Sequence, residues 1–154
     1  MYRRFKRWMY RGNRPHALAR LLNRAWAVAH ARGLAPDYLV TLEVTGRRSG
    51  RTISFPLVMA RVDGERYLVS MLGPDAAWVR NVEAAGGRAV LRHGRVERVR
   101  LETLPVAERA PILRAYLARA PGARPHVPVD RDAPLEAFAA VAAQLPVFRV
   151  RADA

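Results

Sequence analysis

The sequence predicts an α+β domain built on an antiparallel sheet or barrel of about six strands. Three observations carry this reading. Short segments with two-residue hydrophobic alternation recur from residue 37 onward, separated by Gly, Pro and Asp. Hairpin signals join several of them, above all Asp63-Gly64. Helical segments are inserted between the hairpins. At 154 residues and 51% hydrophobic, the chain has the size of one domain with a core of its own.

Residues 1–14, MYRRFKRWMYRGNR, read as a basic arm in which Tyr2, Phe5, Trp8, Met9 and Tyr10 alternate with cations. Residues 15–154 read as the single domain. Pro15 suits a first helical turn, and Leu18, Leu21, Leu22, Ala25, Trp26 and Ala29 then recur at helical spacing up to Gly33. Arg20 and Arg24 fall on the opposite face. DYLVTLEVT alternates Val40, Leu42 and Val44 with Thr41, Glu43 and Thr45, which predicts a half-buried strand. TISFPLVMARV is a second strand, with Pro56 implying an edge or a bulge. RYLVSML is a third. PDAAWVRNVEAAG reads as a short helix stopped at Gly86-Gly87, and RAVLRHGRVERVRLETL as a long hairpin around His93-Gly94. PVAERAPILRAYLARAPG predicts a helix made irregular by Pro111. A proline-rich loop, a last helix LEAFAAVAAQL and a closing strand PVFRVRA complete the chain.

The formal charge is +14, unevenly spread. Residues 1–36 hold nine of the 27 cations and none of the 13 acids. All cations but Lys6 are Arg, so composition accounts for part of the excess. There is no cysteine, which excludes disulfides and thiolate chemistry. The four histidines are scattered without metal-ligand spacing, no G-x-S-x-G precedes a helix, and paired carboxylates suited to acid/base work are not visible. No side chain announces itself as catalytic, and no metal is implied.

One stretch is specific. VTGRRSGRT, residues 44–52, sets Arg47, Arg48 and Arg51, the hydroxyl of Ser49, and glycines 46 and 50 between two strands. A turn requires the glycines alone. Gly46 and Gly50 allow backbone N–H groups to approach an anion, and guanidinium forks match phosphate or carboxylate oxygens. The alternative is an exposed polar turn in an Arg-rich protein. The stretch is not a Walker loop, since the four-residue spacer, the G-K-[ST] end and a following helix are all missing.

The order of motifs adds to this. LEVTGRRSGR, the Pro56-Leu57 pair, DGERYLVSMLG and AWVRNVEAAGGRAVL together resemble the deazaflavin-dependent nitroreductase family, reductases that use coenzyme F420. The resemblance spans residues 39 to about 104. It implies a split β-barrel related to the flavin-binding (FMN) split barrels. It also implies that Arg47, Arg48, Ser49 and Gly50, helped by Arg51, hold the phosphodiester and glutamyl tail of the coenzyme. Pro56, Leu57 and Val58 would lie along the deazaflavin, with Ser70 and Met71 at its border. Trp78 and Asn81 match the Trp and Asn of the family's short helix. Three positions depart from the pattern: Arg48 stands where Lys is usual, Ile53 where many members have Arg, and Val58 where a Tyr is common. Tyr116 is a candidate for the substrate pocket. A reduced deazaflavin brings its own hydride, which accounts for the missing catalytic side chains. The implied activity is reduction of a small-molecule acceptor: a quinone, a nitroaromatic or an activated enone. The alternatives are a module that binds the deazaflavin or FMN without turnover, and a basic nucleic-acid-binding protein.

No apolar run reaches the roughly 18 residues of a membrane span, so a cytoplasmic protein is expected. Residues 1–32 leave three readings open: a helix lying on an anionic membrane surface at the cytoplasmic face, a nucleic-acid contact, or a helix docked on its own barrel. No recognised nucleic-acid fold follows, which argues against the second. Oligomeric state is not legible.

Overall fold

The computed structural model describes residues 38–120 and 127–153. The basic arm and the helix expected at 15–33 lie outside the described residues, as do residues 121–126 of the expected proline-rich loop.

Six strands form the scaffold: β1 (Leu39–Thr45), β2 (Thr52–Val62), β3 (Glu65–Val69), β4 (Arg88–Arg92), β5 (Val96–Thr103) and β6 (Val147–Ala152). All pairings are antiparallel, in the order β1-β2-β3-β6-β5-β4. The barrel closes where β1 meets β4, with Thr41 opposite Arg92, Leu42 opposite Leu91 and Glu43 opposite Val90. Among the described residues three α-helices are inserted: α1 (Ala77–Ala84), α2 (Ala110–Arg119) and α3 (Leu135–Val141). The expected split-barrel α+β class is thus the class observed.

Local chemistry explains most boundaries. Asp63 and Gly64 both have positive φ, 51° and 78°, as a tight hairpin turn between twisted strands requires. The alternation of β1 sends Val40, Leu42 and Val44 into the barrel, where they meet Met59, Leu68, Leu91, Val99, Leu101, Phe148 and Val150. α1 closes one end of that interior with Trp78, Val79 and Val82. A second core lies outside the barrel. There Ala60, Tyr67, Val69 and Val147 pack against Ile112, Leu113, Tyr116 and Leu117 of α2 and Phe138 of α3.

Two expectations need correction. β3 stops at Val69 rather than Leu72, because the Ser70 hydroxyl donates to the Gly73 carbonyl at 2.6 Å and turns the chain away. Pro111 does not disturb α2. It occupies the first turn, where its missing N–H is no loss, and a separate 3₁₀ turn at Val106–Glu108 precedes it.

Candidate functional site

β2 is longer than β3, so the two strands part before β2 begins. β2 pairs with β1 over Thr52–Val58, but with β3 only over Met59–Val62. From Val58 back to Thr52, β2 has no strand on its second side among the described residues. Pro56 sits in this singly paired stretch, opposite Thr41. Lacking an N–H, it is tolerated on such an edge. Ser70 and Met71 leave β3 on the other side of the parting. Continuing the β2–β3 register past Met59 and Leu68 sets Leu57 level with Ser70 and Pro56 level with Met71, with Val58 beside Val69. Leu57 leans on the barrel core, while Val58 and Met71 lean on the helix-side core. Ser70 is 1% exposed.

The cationic turn lies at the same end, between β1 and β2. It is tightly self-bonded: Gly46 N–H donates to the Arg51 carbonyl at 2.8 Å, and Gly50 N–H to the Gly46 carbonyl at 2.9 Å. Arg51 N–H donates to Ser49 Oγ at 3.2 Å. This corrects one expectation. The glycine N–H groups are spent inside the turn, so an anion would meet side chains and not a cradle of glycine amides. Gly46 is required for closeness, since a Cβ there would stand 2.8 Å from both Ile53 Cδ1 and Ser49 Oγ. Gly50 is required for its φ of 69°. Arg48 and Arg51 are exposed, and neither has an acidic partner among the described residues.

Arg47 differs from its neighbours. Its main-chain N–H and its Nη1 both donate to Asn81 Oδ1, at 3.1 and 2.8 Å. Asn81 is 3% exposed on α1. Trp78, one turn earlier, is buried with its ring 5.6 Å from Phe148 at a tilt of 58°. So α1 anchors itself in the barrel through Trp78 and holds the turn through Asn81.

Of the residues singled out by sequence, the structure brings Arg47, Arg48, Ser49, Gly50, Arg51 and Asn81 together at the turn. It groups Pro56, Leu57, Val58, Ser70 and Met71 at the parting. Trp78 belongs to the barrel core. Tyr116 is 4% exposed in the helix-side core, the cluster against which Val58 and Met71 also pack. Sequence reading passed over two polar groups, one half-buried and one buried. Inside the far end of the barrel, Arg66 grips Glu97 through two hydrogen bonds of 2.7 and 2.8 Å, with His93 Nε2 at 3.4 Å. The Arg66 hydrogen bonds hold the Glu97 carboxyl down at about 2. Strand parity carried the signal, because Glu97 falls in step with the core residues Val99 and Leu101. Arg109, 7% exposed, donates to the carbonyls of Leu104 and Ala142, both at 2.9 Å, and burial lowers its pKa.

The donor set at the turn suits an anionic tail, and the parting beside it suits a flat apolar ring. The fold, with the family match, makes this a split-barrel oxidoreductase. Residues 18–136 match the F420H(2)-dependent quinone reductase family, and the chain belongs to that family. It is accordingly an F420-dependent reductase acting on a small-molecule acceptor. No curated protein matches the chain. Among solved structures it is similar to an F420-H2-dependent reductase, with 20% identity over 74% of this chain and 94% of that one, TM-score 0.51. A second, a domain-swapped dimer, matches with 18% identity over 87% and 96%, TM-score 0.55. A third, from Listeria innocua and named after pyridoxamine 5′-phosphate oxidase, matches with 6% identity over 76% and 85%, TM-score 0.51. At these identities the likeness carries the fold alone.

Proposed function

We propose that the chain reduces quinones, with the coenzyme's tail on the β1–β2 turn and its ring along the parting of β2 from β3. The observation that carries this reading is the meeting of two unlike surfaces at one barrel end. A turn bearing Arg48, Ser49, Gly50 and Arg51 adjoins a half-buried wall of Pro56, Leu57, Val58 and Met71. Arg47 and Asn81 hold the turn in place, Ser70 shapes the loop at the ring's border, and Trp78 supports α1 from the core. Bound there, the reduced coenzyme supplies the hydride. The residues' own work is to fix the tail, align an acceptor and keep water from the ring face. With Val58 in place of a hydroxyl-bearing residue, the wall favours an uncharged flat acceptor over a polar one.

Fluorescence titration with oxidised coenzyme and with FMN tests the site, and turnover of a quinone, a nitroaromatic and an enone tests the acceptor. Tighter binding of the deazaflavin and fastest turnover of the quinone are expected. Preference for FMN, or for the nitroaromatic, would overturn the corresponding half. Lipid solubility of quinones also gives residues 1–32 a role, at an anionic membrane surface on the cytoplasmic face. Flotation with anionic and neutral vesicles, with and without residues 1–14, tests it, and indifference to lipid charge would count against it.

A further inference from the structure

Arg109 stands at the N-cap of α2 and is 7% exposed. Its guanidinium donates from Nε to the Leu104 carbonyl and from Nη1 to the Ala142 carbonyl, both at 2.9 Å. No carboxylate pairs with it among the described residues, and burial alone lowers its pKa. A cation so placed adds little to stability, because an apolar side chain of similar volume would fill the space without the desolvation cost. What the guanidinium does is join two stretches of backbone.

Leu104 follows β5, and its N–H donates to the Val147 carbonyl at the start of β6, at 2.8 Å. Ala142 opens a 3₁₀ turn, Ala142–Gln144, between α3 and β6. Leu145 N–H closes that turn on the same Ala142 carbonyl, at 3.2 Å. The next carbonyl, that of Pro146, accepts from the Ser70 N–H at 2.9 Å, and Ser70 Oγ holds Gly73. Gly73 has a φ of 92°, and a Cβ there would stand 3.5 Å from the Gln144 carbonyl oxygen, so the loop lies against the 3₁₀ turn. A relay therefore runs from the guanidinium through the Ala142 carbonyl, the 3₁₀ turn and the Pro146 carbonyl to Ser70. Ala142, Leu145 and Ser70 are 0%, 4% and 1% exposed, so water does not replace a bond lost along it. Met71 leans on the cluster that holds Leu104, Ala142 and Leu145.

The cationic turn has a separate support. It is latched to α1 by Asn81, and α1 is fixed in the barrel core by Trp78. We propose that Arg109 is a positioning residue for hydride transfer: through the 3₁₀ turn it sets the loop Ser70–Gly73 against the wall Pro56–Val58, and so the pose of the acceptor at the coenzyme's ring. This rests on the ring lying along that parting. Arg109 acts through Ala142 and Pro146 and not by contact. Its loss should cost rate and leave the grip on the tail intact.

The test compares full-length wild type with Arg109→Met, which keeps volume and removes the donors, and Arg109→Lys, which keeps the charge and reaches one carbonyl. Leu117→Val is the control, a packing loss in the same core two turns further along α2. Amide hydrogen exchange of the protein alone reads the relay. Ser70 and Leu145 N–H should exchange roughly 10-fold faster in Arg109→Met, while Gly46 and Gly50 keep their wild-type rates. Fluorescence titration with oxidised coenzyme should give dissociation constants within about 2-fold of wild type for every variant. Quinone turnover should separate them. In Arg109→Met kcat should fall roughly 10- to 100-fold and KM for the quinone should rise, as a displaced reaction geometry requires. Arg109→Lys should recover part of the loss, and Leu117→Val should keep wild-type kcat and KM. Unchanged exchange at Ser70, an equal loss of kcat in Leu117→Val, or a parallel loss of coenzyme binding and turnover in Arg109→Met would overturn the positioning role. If Arg109→Met does not fold, Arg109→Lys decides on the same readouts. Failure of wild type to bind the coenzyme, with Ser70 exchange still dependent on Arg109, would overturn the coenzyme site and the positioning role together and leave the relay to the fold alone.

Discussion

Arg47 donates twice to one oxygen of Asn81, through its main-chain N–H at 3.1 Å and its guanidinium at 2.8 Å. Two elements 34 residues apart are thereby tied at a single buried atom. A side chain that sequence reading assigns to tail binding is partly committed to the fold, and the amide on α1 becomes the latch of the turn.

Asn81→Ala is expected to destabilise the fold by about 1–3 kcal/mol, since two part-buried hydrogen bonds from Arg47, one of them from its charged guanidinium, are lost. Coenzyme binding should weaken as well, although Asn81 itself need not touch the coenzyme. Urea denaturation and titration on the same samples check this. Unchanged stability would show that the latch contributes nothing.

Arg48→Ala and Arg47→Ala should separate grip from support. Arg48 is exposed and should affect stability by no more than about 0.5 kcal/mol. Its loss should weaken binding of the tailed coenzyme by roughly 1–3 kcal/mol and leave a tail-free fragment nearly unaffected. Arg47→Ala should lower both stability and binding. Equal losses on tailed and tail-free forms in Arg48→Ala would remove that residue from the tail site.

Gly87→Ala should be among the more damaging single substitutions in the barrel. Its φ is 84°, and a Cβ there would lie 2.6 Å from the Leu101 carbonyl oxygen, a backbone atom that cannot swing away. Strain at such a φ and overpacking together should cost about 2–5 kcal/mol. Gly50→Ala, with φ of 69° and open space around it, should cost only about 1–2 kcal/mol. Comparable midpoints in urea for the two variants would contradict the packing argument at Gly87.

The Glu97 pair sets an acid limb. Its carboxyl is held at about 2 in the fold against an ordinary 4.5, first by the hydrogen bonds from Arg66. A depressed carboxylate stabilises the fold above its unfolded value, and that contribution fades as pH falls from about 4.5 towards 2. Thermal melting of wild type and Glu97→Gln should therefore differ most at neutral pH and converge through that window. A difference independent of pH would indicate packing rather than charge.

The strands, the Asp63-Gly64 hairpin, the helix stop at Gly86-Gly87 and the cationic turn were legible from the sequence, because each rests on local chemistry. Alternation follows from the two-residue period of a strand, positive φ from Gly and Asp, and edge character from the missing N–H of Pro56. The motif order made the family legible in the same way. Tertiary structure alone decided which polar groups were already engaged. The turn's glycine amides bond within the turn, Asn81 is claimed by Arg47, and Ser70 by Gly73. It alone put Arg88 across from Arg100, twelve positions apart in the chain. The physical reason is that hydrogen-bond partners and apposed charges depend on distances between strands and helices, which register and closure of the barrel set, whereas periodicity and turn chemistry act within a few residues.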